Sequence, residues 1–216
     1  MKIQTDLKHN SCRICFKEIK DHSLYNLIAK NNIICEECFS KFEPKYIEFN
    51  IGTIKATSLY VYNQEMKDII FKFKGCYDIE MGEVFLNRYL WYLRLKYKGF
   101  YLVPLPSYEV DDQRRGFNHV IEIYNRLNLP FLNVIKKTKE SKQAKKKRKE
   151  RLKAIESFGT VDIDRVKDKK ILIVDDVYTT GSSVRAAITL VKQGKPKYIE
   201  VLVIAKNVLK PKKWEY

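Results

Sequence analysis

The stretch that most constrains this chain is residues 171–184, ILIVDDVYTTGSSV. It opens on four apolar residues. Three of them, Ile171, Ile173 and Val174, are β-branched, which reads as a short buried strand. Asp175 and Asp176 follow, and their charges are expected to end the strand. A small, hydroxyl-rich loop covers residues 178–183. Val184, Ala187, Ile188 and Val191 then repeat at helical spacing. The unit is strand, loop, helix, with the loop at the carboxyl end of the strand. Open α/β sheets bind ligands at that edge.

The loop's chemistry points to phosphate. A turn that opens a helix aims unpaired backbone N–H groups at one point, and the helix dipole adds positive character. Gly181 can take a left-handed backbone angle and lets an anion come close. The hydroxyls of Thr179, Thr180, Ser182 and Ser183 can donate further hydrogen bonds. Asp175 and Asp176 would repel a bare phosphate. They fit a sugar phosphate, whose ribose hydroxyls two carboxylates can accept from directly or through a hydrated Mg2+. A plain acidic turn before a helix is the simpler alternative, but it does not account for an acidic pair, a glycine and four hydroxyls in one loop. A Walker-type nucleotide hydrolase is disfavoured, because the chain contains no G-x-x-x-x-G-K-[ST].

VDDVYTTGSS resembles the ribose-phosphate signature of type I phosphoribosyltransferases. The resemblance implies binding of phosphoribosyl pyrophosphate (PRPP), with Asp175 and Asp176 on the ribose and the loop on the 5′-phosphate.

The N-terminal part carries a second signal. Cys12 and Cys15 form one C-x-x-C pair, Cys35 and Cys38 another, with 19 residues between the pairs. Such knuckles place four thiolates around one tetrahedral ion, and a four-thiolate site has no open position. We therefore expect a structural Zn2+ in a zinc-ribbon-like module over residues 1–45. Redox dithiols are the alternative, and two pairs at zinc spacing weigh against it. His9 and His22 flank the cysteines but are not needed as ligands. Cys76 stands alone and reads as an inert thiol.

The 216 residues leave room for one α/β domain, residues 46–216, beside that module. The net charge is +16, from 42 Lys and Arg against 26 Asp and Glu, which favours polyanionic partners. Dispersed lysines on a solvated surface are the competing explanation. No apolar run is long enough to span a bilayer, since residues 84–95 are interrupted by Arg88 and Arg94. The first twelve residues contain no apolar stretch of a signal peptide, so a cytoplasmic location is expected.

Between these landmarks, residues 57–62 read as a strand. From Gln64 the pattern is helical through Met66, Ile69, Ile70 and Phe73, with a stop at Lys74-Gly75. Residues 79–97 read as one longer amphipathic helix. Residues 100–106, FYLVPLP, form a strand that prolines close. A polar loop leads to Arg115, and a helix follows through Val120, Ile123, Tyr124 and Leu127. Residues 129–135 read as another strand. Residues 136–153 hold eleven Lys or Arg against two Glu, a basic arm that could contact a pyrophosphate or nucleic acid. Residues 198–205 form a final buried strand. Strand and helix alternate, which implies a mainly parallel α/β sheet with flanking helices.

Several segments together resemble the ComF family of competence proteins, in which a four-cysteine zinc module is joined to a type I phosphoribosyltransferase-like domain. Phe71-Lys72-Phe73-Lys74-Gly75 resembles the family's Lys-aromatic-x-Gly segment. Val103-Pro104-Leu105-Pro106 resembles its V-P-x-P loop, and Arg115-Gly116-Phe117-Asn118 matches its R-G-F-N motif. Gln143, Arg151 and Phe158 fall near a family Gln, Arg and Phe. His119 departs from a common Gln, and Lys146 and Ala154 depart from Leu and Asn. The resemblance places Lys72, Pro104, Leu105, Pro106 and Arg115 on the pyrophosphate side. It implies handling of incoming single-stranded DNA in natural transformation, at the inner face of the membrane and with DNA-uptake proteins as partners. The alternative it leaves open is an active phosphoribosyltransferase acting on a nucleobase or amine. A regulator that senses PRPP is a third.

Overall fold

The computed structural model describes residues 11–19, 33–107, 109–137 and 158–208. Most of the basic arm, with Gln143, Lys146, Arg151 and Ala154, lies outside the described residues, as do His9, His22 and the C-terminal tail.

Among the described residues, seven strands form in chain order: β1 (Pro44–Ile51), β2 (Ile54–Val61), β3 (Phe100–Pro104), β4 (Ile135–Lys137), β5 (Phe158–Thr160), β6 (Lys170–Tyr178) and β7 (Tyr198–Lys206). The helices are α1 (Glu36–Ser40), α2 (Gln64–Gly75), α3 (Gly82–Leu86), α4 (Leu90–Lys96), α5 (Glu109–Arg115), α6 (His119–Asn125) and α7 (Ser182–Gln193). The main sheet has the order β1-β2-β7-β6-β3. Within it β1 and β2 pair antiparallel, and β2–β7, β7–β6 and β6–β3 are parallel; β4 and β5 form a separate antiparallel pair. The fold is the expected mainly parallel α/β sheet with flanking helices.

Burial explains why β6 and β7 sit at the centre. Leu172, Val174, Leu202 and Ile204 face one core with α2, α3 and α6. Ile171, Ile173, Val201 and Val203 face a second core against α7. A strand covered on both faces must be apolar at successive positions, and ILIV is. The cysteine knuckles join the first core, where Cys12, Ile34, Cys38 and Phe42 are buried with Leu59 and Tyr60.

Four expectations need correction. The carboxylates do not end β6: Asp175 pairs with Val203, and the ladder runs on to Tyr178 and Lys206. The ladder satisfies the backbone, and both carboxylates reach one cavity at the end of the strand. Residues 79–97 are not one helix. Burial passes from Met81, Val84 and Phe85 to Leu86, Leu93 and Tyr97, a face rotated by one residue. The 3-10 turn at Asn87–Tyr89 makes that rotation. Residues 129–135 are mostly not strand. Phe131 makes a single parallel bridge to Leu102, beside Pro130, and β4 begins only at Ile135. The polar loop before Arg115 is largely α5. The hairpin strand β1 was not legible at all. It lies at a sheet edge with an irregular burial pattern, so PKYIEFNI shows no clean period of two.

Candidate functional site

The site lies at the carboxyl ends of β3 and β6. A cavity of about 250 Å³ is lined by Lys74, Ser107, Arg115, His119, Asp175 and Asp176, with Leu105, Pro106, Lys137, Phe158 and Ser183 completing the wall. Beside it, Asp175, Thr179, Thr180, Gly181, Ser182 and Ser183 line a small recess of about 30 Å³ at the start of α7. The acidic pair and the hydroxyl loop therefore lie side by side, and Asp175 and Ser183 belong to both spaces.

Gly181 makes the turn possible. It adopts φ +71° as the N-cap of α7, a backbone angle that costs glycine little. A Cβ there would come within 2.2 Å of the Tyr178 hydroxyl. Arg185, one turn into α7, donates to the Tyr178 hydroxyl at 3.2 Å and to the Thr180 carbonyl. Thr180 and Ser182 share a hydroxyl–hydroxyl bond of 2.9 Å. Gly181 has no side chain to cap the helix; the Ser182 amide donates to Thr180 Oγ1 at 3.4 Å, and the first turn of α7 lines the recess, where an anion is favoured.

The acidic pair is held from below. The Tyr124 hydroxyl on α6 contacts the carbonyls of Asp175 at 2.8 Å and Leu202 at 3.1 Å. The Asp176 amide donates to Asp175 Oδ1 at 2.9 Å. Asp176 is buried and ion-paired with Lys74. Burial alone would raise its carboxyl, but the Lys74 ammonium outweighs burial and holds it down at about 2. Burial, and then the Asp176 charge, push Asp175 well above the usual carboxylate range. Negative charge on the pair is thus favoured on Asp176, beside Lys74, and disfavoured on Asp175.

The opposite wall is built by the R-G-F-N segment. Arg115 ends α5 and reaches the cavity. Gly116 turns the chain at φ +79°. The Phe117 ring packs 5.4 Å from that of Phe73. Asn118 caps α6, its Oδ1 accepting from the amides of Val120 at 3.1 Å and Ile121 at 3.0 Å. Its Nδ2 donates to Asp112 Oδ2 at 2.7 Å and Ser107 Oγ at 2.9 Å. Arg115 Nη1 lies 3.3 Å from Asp112 Oδ1 and donates to His119 Nδ1 at 2.9 Å. A guanidinium can only donate, so Nδ1 is an acceptor and the neutral ring carries its proton on Nε2. Burial first, and the Lys74 charge second, push His119 down to about 3.

Pro104 closes β3. The next amide, Leu105 N, donates to Val174 O at 2.9 Å, which pins the proline loop to β6. Leu105 and Pro106 reach the cavity wall; Pro104 is buried behind them. Lys72 is exposed and is not part of the wall; Lys74 is. Two residues apart on α2 they point about 200° away from each other, and only Lys74 follows the face of Ile70. Lys74, Ser107, Asp112, Tyr124, Lys137 and Arg185 were not singled out from the sequence. Only Lys74 carried a legible signal, its i+4 spacing from buried Ile70.

Cys12, Cys15, Cys35 and Cys38 come together with all four sulfurs within 4.8 Å of one another. Cys15 and Cys35 sulfurs are 3.7 Å apart. A tetrahedral Zn2+ with Zn–S bonds of about 2.3 Å sets its sulfurs roughly 3.8 Å apart, so the cluster fits a zinc ion. Burial opposes ionisation of Cys12, but backbone N–H groups of Cys35, Cys15 and Ile14 bring it down to about 7. Burial and the neighbouring thiols push Cys38 up. Arg13 bridges to Glu80 at 3.0 Å and Glu83 at 3.5 Å, tying the first knuckle to the helical layer.

An acidic strand end, a glycine-turned anion loop and a cation-lined cavity beside a proline loop make this domain similar to the phosphoribosyltransferase class. Comparison with known proteins agrees: residues 113–216 match the phosphoribosyl transferase domain family. The chain is 25% identical over 225 residues to Competence protein ComFC of Streptococcus pneumoniae (strain ATCC BAA-255 / R6), covering 90% of this chain and 99% of that one. The chain is thus similar to a ComF-type competence protein, and it carries a four-cysteine cluster beside a region that matches the phosphoribosyl transferase domain. Solved structures similar to it include the allosteric regulatory enzyme of purine biosynthesis, at 12% identity and a TM-score of 0.39 over 59% of this chain. This chain spans only 25% of that enzyme's length. Another is purine phosphoribosyltransferase from Pyrococcus horikoshii Ot3, at 18% identity and a TM-score of 0.36 over 61% of this chain and 78% of that one. Among the described residues, no helix is long and apolar enough to cross a membrane.

Proposed function

We propose that the chain binds PRPP, or a closely related ribose 5-phosphate, and serves in handling incoming single-stranded DNA during natural transformation. One observation carries the ligand reading. Asp175 lines both a recess at the start of α7 and the adjoining cavity, whose wall also carries Asp176, Lys74, Arg115 and Lys137. A molecule with phosphate at one end, pyrophosphate at the other and ribose hydroxyls between matches that order of charges. The 5′-phosphate takes the amides and hydroxyls of residues 179–183. The ribose hydroxyls meet Asp175 and Asp176. The pyrophosphate meets Arg115 and Lys74, behind Leu105 and Pro106. Two carboxylates, one of them bound to Lys74, make no cage for Mg2+ by themselves. An accompanying Mg2+ is therefore carried mainly by the ligand's own phosphates. The structural Zn2+ belongs to the four cysteines.

Support for the DNA role comes from the similarity to a competence protein and from the net charge of +16. PRPP binding is tested by titration calorimetry with and without Mg2+; the absence of heat at millimolar ligand would contradict it. The DNA role is tested by the salt dependence of oligonucleotide binding, which should fall steeply as released counterions lose their entropy advantage. A flat response would sink it.

The cations of the cavity also favour a second reading, an active phosphoribosyltransferase, because they would stabilise departing pyrophosphate. Pyrophosphate release from PRPP across a panel of nucleobases and amines would establish it. Silence across the panel leaves binding without transfer.

A further inference from the structure

The opposite end of the main sheet carries a feature that sugar-phosphate binding does not use. Parallel strands bring their entry loops to one edge, and three loops distant in sequence each deliver lysine to it. Lys98 precedes β3, Lys167 and Lys169 lead into β6, which Lys170 opens, and Lys195 and Lys197 lead into β7. The ladder aligns Phe100, Lys170 and Tyr198 as one rung across the three strands. Bonds from Asp168 N to Lys195 O at 3.2 Å and from Lys197 N to Lys169 O at 2.9 Å tie two of the loops together. Lys169 is half-buried and the other five lysines are exposed.

Their charge is largely uncompensated. Lys74 and Lys96 have carboxylate partners. Among the described residues, none of the six edge lysines is in an ion pair. Asp168 is the one carboxylate between them in sequence. The flanking 3-10 turn Ile163–Val166 adds Asp164 and Arg165, which offset each other, and Glu200 sits opposite Lys55 in the β2–β7 ladder. Two of the lysines already rest on aromatic faces. Lys169 Nζ lies 5.4 Å from the centre of the Tyr101 ring, and Lys170 Nζ lies 5.9 Å from that of Phe100. The Tyr198 ring stands edge-on to Phe100 at 6.2 Å, and Tyr198 is 40% exposed.

We infer that this lysine edge, at the amino ends of β3, β6 and β7, is the contact surface for single-stranded nucleic acid. The inference rests on the DNA-handling reading above and says where the strand lies. Cations that meet a polyanionic backbone release its counterions. Lysines without carboxylate partners give up no ion pair to do so, and side chains already ordered lose less entropy. Scattered solvated lysines do not explain why three separate loops each bring lysine to one edge. The exposed Tyr198 ring among them offers a stacking face, which an unpaired base can use and a base inside a duplex cannot. Lysine meets the phosphates rather than the bases, so binding should tolerate any sequence. Lys170 and Asp175 lie five residues apart on β6, which puts the edge roughly 17 Å from the acidic pair. The strand and the sugar phosphate therefore occupy opposite ends of the sheet and do not compete.

The test measures fluorescence anisotropy of a labelled oligothymidylate, and of a duplex of the same length, over a salt series. Full-length wild type is compared with the edge variant K98Q/K170Q/K197Q, a control K41Q/K45Q/K67Q, Y198A and Y198F. The control removes the same charge from exposed lysines around the carboxyl end of β2. Melting transitions show that each protein is folded, and the shift that PRPP adds should be equal in all five. The edge variant should bind the oligothymidylate roughly tenfold or more weakly. Its salt slope should fall by about 2, since each phosphate contact on a single strand contributes about 0.7. The control should bind nearly as wild type does. Y198A should bind roughly fivefold or more weakly with its slope unchanged, and Y198F should recover the loss. Wild type should bind the duplex more weakly than the single strand. An edge variant as tight as wild type, or equal losses in the two triple variants, would overturn the inference while leaving DNA handling intact. Duplex bound as tightly as the single strand, or edge lysines that bind phosphatidylglycerol vesicles in preference to the oligonucleotide, would also overturn it. Wild type that binds no oligonucleotide even at low salt would overturn both readings, and a preserved PRPP shift would then leave the sugar-phosphate reading standing.

Discussion

His119 sits within the cavity wall as a neutral ring, and its protonation links stability to pH. Its folded-state value of about 3 lies below the ordinary histidine range. The unfolded chain therefore binds a proton first as pH falls below about 6.5. The stability that His119 contributes is complete above that value and is lost progressively down to about pH 3. Replacing it with glutamine should flatten this loss. In urea unfolding at pH 7 and pH 5, wild type should lose roughly 1–2 kcal/mol more than H119Q. An equal loss in both would place the pH dependence elsewhere. Asp176 adds a second loss at lower pH, since its carboxyl is held at about 2 and protonates earlier when unfolded. Gly181 gives another residue-level expectation. Gly181→Ala combines a left-handed backbone angle with a clash on Tyr178, so it should cost about 1–3 kcal/mol and abolish sugar-phosphate binding. Near-wild-type melting and binding would contradict that account of the loop. At this scale the sequence showed the acidic pair, the loop and the four cysteines because each sits in one short local motif. Lys74 lines the cavity and Lys72 does not, because helix phase, not the motif, decides which lysine faces it. Ser107, Asp112 and Lys137 were invisible because only the tertiary fold brings them to the cavity.

The elements place these residues through a few long-range bonds. Tyr124 on α6 ties the carbonyls of Asp175 and Leu202, so one hydroxyl fixes β6 against β7 where the carboxylates emerge. Tyr124→Phe should destabilise the fold by about 1–3 kcal/mol, the range for a buried acceptor left unsatisfied, and should weaken ligand binding. Denaturant midpoints and a PRPP titration check both effects; unchanged midpoints would show that water or a neighbour replaces the hydroxyl. The R-G-F-N motif is likewise a piece of element geometry. Gly116 turns α5 into α6, Asn118 caps the second helix and holds Asp112, and Arg115 is left facing the cavity. The motif was legible in sequence, but its reason was not, because Asp112 and Ser107 lie upstream in what reads as a polar loop. Helix α2 and strands β3, β6 and β7 followed their hydrophobic periods. The bent 79–97 region did not, because a one-residue rotation of the buried face looks like continuous amphipathicity.

At the scale of the whole molecule, the four-cysteine cluster shares its core with the main sheet. Cys12 and Cys38 are buried in the same cluster as Tyr60, Phe85 and Leu172. Metal loss should therefore lower the melting temperature of the entire protein in one transition, rather than release a separate module. Melting with and without a chelator, alongside metal analysis expecting about one Zn per chain, tests this. A first, separate transition on chelation would contradict the shared core. The cysteine pairs were plain in the sequence, but their packing against the sheet was not, since nothing local marks Ile34 or Phe42 as core residues of the larger domain. The central claim concerns the other centre, at the carboxyl end of β6. Its most direct test is the thermal shift caused by PRPP and Mg2+ in wild type and in Asp176→Asn. A ligand that binds only the folded state must raise the melting temperature with concentration. The account predicts a rise in wild type that is lost or strongly reduced in D176N. No rise in wild type, or an equal rise in both, would contradict it.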